Sequence, residues 1–329
     1  MKKYILICLL SSFCLPLLAN ELVIYSARKE FLIKPLVAAF QKETGIKTSY
    51  ITGKAAPLVE KIKAEKEKTK ADLLMTVDAG NLWQAAELGI LTPMKNSKAI
   101  QSVESYFLDP NKNWVALSIR ARSIFYNPKL VNKSDLSTYE DLANSKFQGK
   151  LCLRTSKKVY NQSLVAMMIH HNGEAKTKKT VESWVNNLGS PVFSSDTKLL
   201  EAIDSGRCAI GIANTYYYGR LVSKAKASNV KIFWPNQKTT GAHINISGVG
   251  IVKHSKNKAN AQRFIDWSLG KTAQEILAGL NFEYPVNPKI KTSKIVSSWG
   301  PFKRDQTNLS KAGQLQATSV KLMGSANYK

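Results

Sequence analysis

Histidine and cysteine are scarce in this sequence, four of each among 329 residues, and their positions exclude most of the chemistry that those side chains perform. Cys8 and Cys14 fall in an apolar leader, so only Cys152 and Cys208 remain, with no C-x-x-C spacing and histidines only at 170, 171, 243 and 254. His170 and His171 are neighbours on an expected helix, point about 100° apart and cannot chelate one ion together, which leaves them as a solvated helix end. A zinc site of cysteine and histidine is therefore not written here. There is no G-x-S-x-G elbow and no legible Ser-His or Cys-His pairing, so an exported hydrolase lacks its nucleophile and base. Gly270-Lys271-Thr272 has the tail of a phosphate-binding loop, but Ile265 stands where its first glycine belongs, and Gly248-Val249-Gly250 meets Lys253 where a dinucleotide fingerprint needs a third glycine. Acidic residues are few as well: 23 against 48 basic ones, a net charge of +25 that asks for an anionic ligand, an anionic surface or a solubility role.

Beyond the first twenty residues no apolar run approaches the ~20 residues that span a bilayer, so the mature chain is expected not to cross a membrane. Lys2 and Lys3 precede an apolar stretch from Tyr4 to Leu18, turned by Pro16 and followed by the small Ala19, which is the layout of a secretory signal peptide over residues 1–19. Lipidation at Cys14 is disfavoured by the bulky Phe13 at the processing position. Export to the periplasm takes away Lys2 and Lys3, leaves +23, and argues against nucleic acid as the partner. In an oxidising compartment the even pair Cys152 and Cys208 is expected to form one disulfide, a metal or nucleophilic thiol being the alternative that lacks supporting spacing.

The pattern of the mature chain is α/β. Strands are expected at Leu22–Tyr25, Ile46–Ile51 and Asp72–Thr76, alternating with helices at Pro35–Lys42, Leu58–Ala64 and Asn81–Leu88. A long β-rich passage from Trp114 to Tyr126 follows, and then alternation resumes: strands at Leu151–Arg154, Cys208–Ala213 and Ile244–Val252, helices at Tyr160–His171, Thr180–Leu188, Asp196–Asp204, Ala259–Leu269, Ala273–Leu280 and Lys311–Met323. Without a flexible linker or repeat, this reads as two Rossmann-like lobes joined by ordered strands, with the ligand cleft between them. The N-terminal lobe is expected over residues 20–118, also receiving about 247–295, and the C-terminal lobe over 119–246, also receiving about 296–329.

The segment Asn214-Thr215-Tyr216-Tyr217-Tyr218-Gly219-Arg220 directly follows an expected strand, with Asn214 or Thr215 available to cap a helix. That places Tyr216 and Tyr217 at a helix N-terminus on the carboxyl side of a sheet, where open α/β sheets bind ligands. A phenol with pKa near 10 becomes a preferred ligand at neutral pH only beside a hard, highly charged cation, and ferric iron meets that demand. The helix dipole favours anionic oxygen at the same place. Packing, or stacking against sugars and bases, remains open for the pair taken alone. Tyr160, in Ser156-Lys157-Lys158-Val159-Tyr160-Asn161-Gln162-Ser163, stands at another strand-to-helix turn, and a disulfide between Cys152 and Cys208 would bring the two turns side by side.

Taken together the chain resembles the periplasmic ferric-ion-binding proteins of bacterial ABC importers, of the type II solute-binding fold. The resemblance covers the mature chain and rests on Ile24-Tyr25-Ser26-Ala27-Arg28, Ala71–Asp78, Ser118–Arg122, Tyr160-Asn161, Asn214–Tyr217, Ile246–Val249 and Glu283-Tyr284-Pro285-Val286. It implies that Tyr216 and Tyr217, joined by Tyr160, hold Fe3+. Members that add a histidine or glutamate from the first lobe differ here, since Lys29, Glu30 and Val77 occupy those places. The likeness is to the subgroup in which carbonate or a similar synergistic anion completes the shell, with Arg28 and Arg120 at the matching positions and Arg122 in reserve. Asp78 is expected to cap the following helix. The implied role is that of a monomeric carrier, not an enzyme, which takes ferric ion or a ferric chelate to an inner-membrane ABC permease. A binding protein for a small oxyanion, using the arginines alone, is the alternative.

Overall fold

The computed structural model describes residues 21–329, so the expected leader at 1–19, with Cys8 and Cys14, lies outside the described residues. β1 (Leu22–Ser26) is followed by α1 (Glu30–Thr44), β2 (Thr48–Thr52), α2 (Ala55–Glu65), β3 (Leu73–Val77) and α3 (Ala79–Glu87). β1 pairs in parallel with β2 on one side and β3 on the other, as helical crossovers require. α1 buries Leu32, Ile33, Leu36, Val37 and Phe40. That stripe begins ahead of Pro35, and its burial carries the helix through the proline, so α1 starts at Glu30, well before the expected Pro35. It ends at Gly45, whose φ of 70° is open to glycine at no steric cost.

β4 (Leu91–Thr92) and α4 (Lys98–Gln101) lead into β5 (Val115–Tyr126), a 12-residue strand buried along its whole length. The second α/β run holds β6 (Leu151–Cys152), α5 (Val159–Asn172), α6 (Glu174–Asn186), α7 (Asp196–Asp204), β7 (Ile210–Asn214), α8 (Thr215–Val222) and β8 (Lys231–Phe233). α6 begins directly after Gly173 and not at Thr180, because Thr177 already faces inward. The chain returns through β9 (Ile244–Val252), α9 (Lys258–Ser268), α10 (Lys271–Asn281), β10 (Tyr284–Pro285) and α11 (Lys294–Ser297). It closes with α12 (Ser310–Gln314) and α13 (Gln316–Ser325), so the single terminal helix expected over Lys311–Met323 is broken at Leu315.

All strands belong to one ten-stranded sheet in the order β2-β1-β3-β9-β5-β7-β6, with β4 beside β9 and both β8 and β10 beside β5. β5 is the bridge. Val115 to Ala121 pair antiparallel with β9, while Arg122 to Tyr126 pair antiparallel with β7. One core gathers Phe40, Trp114, Phe264 and the first half of β5, and includes Val296 and Leu309. A second gathers Ile124, Leu164 and Trp184 with Leu322 and Met323, and a third packs Phe125, Cys152, Cys208 and Tyr218 under α7 and α8. The tail therefore leaves the first core after Leu309 and enters the second by Leu322. On the way α12 packs against both α3 and α5, and Gly313 is required there because a Cβ would stand 2.5 Å from Trp83 Cβ.

Candidate metal centre

β6 and β7 lie side by side in parallel, and each is followed by a helix whose first turn carries tyrosine. Tyr160 is the second residue of α5; Tyr216 and Tyr217 are the second and third of α8. Asn214 stands at the N-cap of α8, but its side chain does not bond the helix. It accepts a hydrogen bond from Arg122 Nη1 at 3.0 Å instead, while the Asn214 amide donates to Asp196 Oδ2 at 3.1 Å. Arg122 also donates from Nη2 and Nε to Asn161 Oδ1, at 2.6 and 3.0 Å, and from Nη1 to Asp196 at 3.1 Å. This buried guanidinium thus ties together the residue after Tyr160 and the residue capping α8. Arg122 is a strut behind the tyrosines and not an anion ligand in the cleft. The disulfide Cys152–Cys208 joins the same two strand regions as expected.

The three tyrosines line one cavity of about 140 Å³ together with Arg28, Arg120, Arg220, Lys29 and Glu283. The Tyr216 hydroxyl lies 3.4 Å from that of Tyr160, and the rings of Tyr216 and Tyr217 have centroids 4.2 Å apart. Three guanidiniums surround them. Arg120 is 5.9 and 6.0 Å from the ring centroids of Tyr160 and Tyr216, Arg154 is 5.6 and 5.9 Å from Tyr160 and Tyr217, and Arg220 is 5.2 and 5.7 Å from Tyr216 and Tyr217. Burial pushes the phenols of Tyr160 and Tyr216 above their ordinary value, and neighbouring tyrosines add to this, while Arg120 pulls the other way. Among the described residues no group of three or more His, Cys, Asp or Glu could hold a metal ion, so the phenols are the anionic oxygen this cleft can offer in number.

Arg28 follows β1 and Arg120 lies on the half of β5 that pairs with β9; at the cleft both are shared with Glu283. Arg28 Nη2 is 3.2 Å from Glu283 Oε2 and Arg120 Nη1 is 3.3 Å from Oε1, all three side chains being buried. Burial alone would raise the Glu283 carboxyl; the two guanidiniums outweigh it and hold the group below its ordinary value. Among the described residues the buried Nε of each arginine has no partner. Asn281 Nδ2 donates to Glu283 Oε1 at 2.7 Å, and Arg220 Nη2 donates to Asn281, so the tyrosine-bearing helix α8 is coupled to the arginine pair across the cleft. Close approach there depends on Gly219, where a Cβ would lie 2.6 Å from Phe282 Cβ.

The cleft also contains residues that sequence reasoning did not single out for a role. Glu283 and Arg220 stood in recognised motifs without a function, and Arg154 follows β6 as Tyr216 follows β7, the one positional signal it gave. Lys29 and Val77 line the cavity at the places noted for their lack of a ligand side chain. Asp78 caps α3 by accepting from Gly80 N at 2.9 Å, as expected, and also accepts from the Ser163 hydroxyl of α5 at 2.8 Å, which links the lobes. His171 is not merely a solvated helix end: its Nε2 lies 2.7 Å from Asp305 Oδ2.

Residues 68–304 match the family described as bacterial extracellular solute-binding protein. The chain is 41% identical over 316 residues to iron uptake protein A1 of Synechocystis sp., covering 94% of this chain and 88% of the relative. Among solved structures it is similar to a Trichodesmium protein in complex with iron and citrate ligands, with a TM-score of 0.90 and 39% identity over 94% of this chain and 100% of that one. It is likewise similar to the ferric binding protein from Campylobacter jejuni, with a TM-score of 0.87 and 31% identity over 94% and 100%.

Proposed function

The chain belongs to the bacterial extracellular solute-binding protein family, of type II periplasmic fold, and from that premise we propose that it binds ferric iron in the periplasm and hands it to an inner-membrane ABC permease. The carrying observation is the convergence of Tyr160, Tyr216 and Tyr217 on one cleft ringed by arginines, with no cluster of His, Cys, Asp or Glu among the described residues to compete for a metal. The iron uptake relative and the iron- and citrate-bound neighbour support this reading. In it the three hydroxyls lose their protons to become phenolate ligands whose charge matches that of Fe3+. The protein contributes no bond-making chemistry; it is a carrier.

Charge argues for an additional anion. Arg28, Arg120, Arg220 and Lys29 face the cavity against the single carboxylate of Glu283, and unbalanced buried charge is costly. A small dianion such as carbonate, held beside the guanidiniums of Arg28 and Arg120, would restore balance. The same excess of cations favours the second reading, a site for a small oxyanion alone. Equilibrium binding of Fe3+ and of phosphate, each with and without bicarbonate, separates the two. The iron reading expects tight Fe3+ binding that collapses in Tyr217→Phe in any buffer and weakens in Arg120→Ala chiefly in bicarbonate. Phosphate binding without iron, indifferent to Tyr217→Phe, would favour the oxyanion instead.

A further inference from the structure

A second cavity, of about 620 Å³, is lined by none of the three tyrosines. Its walls come from the segment between Lys133 and Thr138, Asp135 excepted, and from that between Ile232 and Thr239, closed by Trp299 and Pro301. Ile232, Phe233 and Trp234 all line it. Successive side chains of a strand point to opposite faces, so a cavity that meets both Ile232 and Phe233 of β8, and Trp234 just beyond it, lies along the strand's edge and not above one face. Among the described residues β8 pairs only with β5, through Lys231–Tyr126, Ile232–Phe125 and Phe233–Ile124, which leaves its other edge without a strand partner there. The Phe233 carbonyl turns toward β5, where it accepts from the Ser123 hydroxyl at 2.7 Å. Alternation along an antiparallel strand then turns the amide and carbonyl of Ile232 outward, into the cavity.

The groove is preformed. Trp234 is stacked on Phe302 with centroids 3.9 Å apart and planes 9° apart, and its Nε1 donates to Trp299 O at 3.1 Å. The facing wall is fastened by Asn236 N to Ser137 O at 3.1 Å, and Gln237 clasps residue 303 through bonds of 2.7 and 3.1 Å. The charged side chains lining the groove are Lys133 and Lys238, both exposed and neither in an ion pair among the described residues; no carboxylate lines it. Lys231 lies on the strand itself. Exposed lysines on an edge discourage pairing with another basic copy of the same chain and suit an acidic strand.

We propose that this groove docks an extended, acidic segment of a partner protein, which adds a strand to the free edge of β8 while its carboxylates meet Lys133 and Lys238. Main-chain bonds to Ile232 give affinity, the half-buried Trp234 and Trp299 take alternate apolar side chains, and the lysines select charge. The inference is independent of the iron site, so its failure would leave the iron reading untouched.

The test uses the mature full-length protein and a fluorescein-labelled hexapeptide of alternating glutamate and valine, followed by fluorescence anisotropy. Binding is expected, weakened about tenfold or more by the double variant Lys133→Glu with Lys238→Glu, and by N-methylation of the peptide at alternate residues. Ile232→Pro, which deletes the outward N–H together with a side chain packed on the third core, should act like N-methylation while iron loading stays as in the parent. A lysine–valine peptide should not bind. The proposal is overturned if the basic peptide binds equally, if neither charge reversal nor N-methylation matters, or if no binding occurs at millimolar peptide. Saturable binding of an oligogalacturonate that displaces the peptide and survives Ile232→Pro would assign the groove to carbohydrate and overturn it as well.

Discussion

Removing one phenolic oxygen at a time is the sharpest intervention at the scale of single residues, because phenylalanine keeps the ring and its packing. Loss of an outer-shell partner typically costs 10–100-fold in metal affinity, so Tyr160→Phe, Tyr216→Phe and Tyr217→Phe should each exceed about 100-fold in Fe3+ titrations if these are the ligands. Arg122→Gln should fall within the outer-shell range, since it loosens Asn161 and Asn214 without touching the cleft. A second residue-scale effect concerns stability. His243 is buried with Nε2 unpartnered, and burial, aided by Arg122 and His171, pulls its pKa down to about 4 while Asp305 opposes the shift. The folded state therefore resists a proton that the unfolded chain accepts near pH 6.5. Its stabilising contribution is full above that pH and is lost as pH falls through about 4, by about 3 kcal/mol at most. Urea midpoints at pH 7 and pH 4.5 should drop less in His243→Asn than in the parent; equal drops would refute the assignment.

Among elements, the two strand-to-helix turns decide the site. The disulfide between Cys152 and Cys208 closes a segment of 56 residues, for which chain-entropy reasoning gives about 4 kcal/mol. Cys152→Ser with Cys208→Ser should lower the unfolding midpoint accordingly and weaken iron binding, as measured by chemical denaturation and metal titration on the same sample. Gly219→Ala should destabilise the protein by about 1–3 kcal/mol through overpacking against Phe282. Much of this element scale was legible beforehand. Ile244–Val252 and Asp196–Asp204 are found at their expected bounds, since one is rich in isoleucine and valine and the other opens at a serine N-cap before an apolar stripe. The handover from β7 to α8, and hence the tyrosine positions, followed from local chemistry. What was not legible is long-range: α1 runs through Pro35 because tertiary burial overrides a local penalty, and α12 and α13 part where the tail exchanges one core for another. Glu283 was invisible as the partner of Arg28 and Arg120 because the three lie 255 and 163 residues apart in the chain and meet only through sheet pairing.

For the molecule as a whole, the account joins a strongly basic carrier to a cargo that must be bought with protons. The phenols of Tyr160 and Tyr216 sit above their ordinary value because they are buried among one another, so both are protonated in the metal-free protein at neutral pH. Iron binding must displace those protons, and affinity should rise with pH and fall on acidification, with proton release approaching about three per ion if all three tyrosines ligate. Calorimetry in buffers of differing ionisation enthalpy would count them. The most direct measurement is a titration of the metal-free mature protein with ferric nitrilotriacetate in bicarbonate, followed in the visible for the phenolate-to-iron charge-transfer band. The account predicts a coloured complex that saturates at one ion per chain and is abolished when Tyr160, Tyr216 and Tyr217 are all phenylalanine. A colourless iron complex, or a coloured one unchanged in that triple variant, would contradict it.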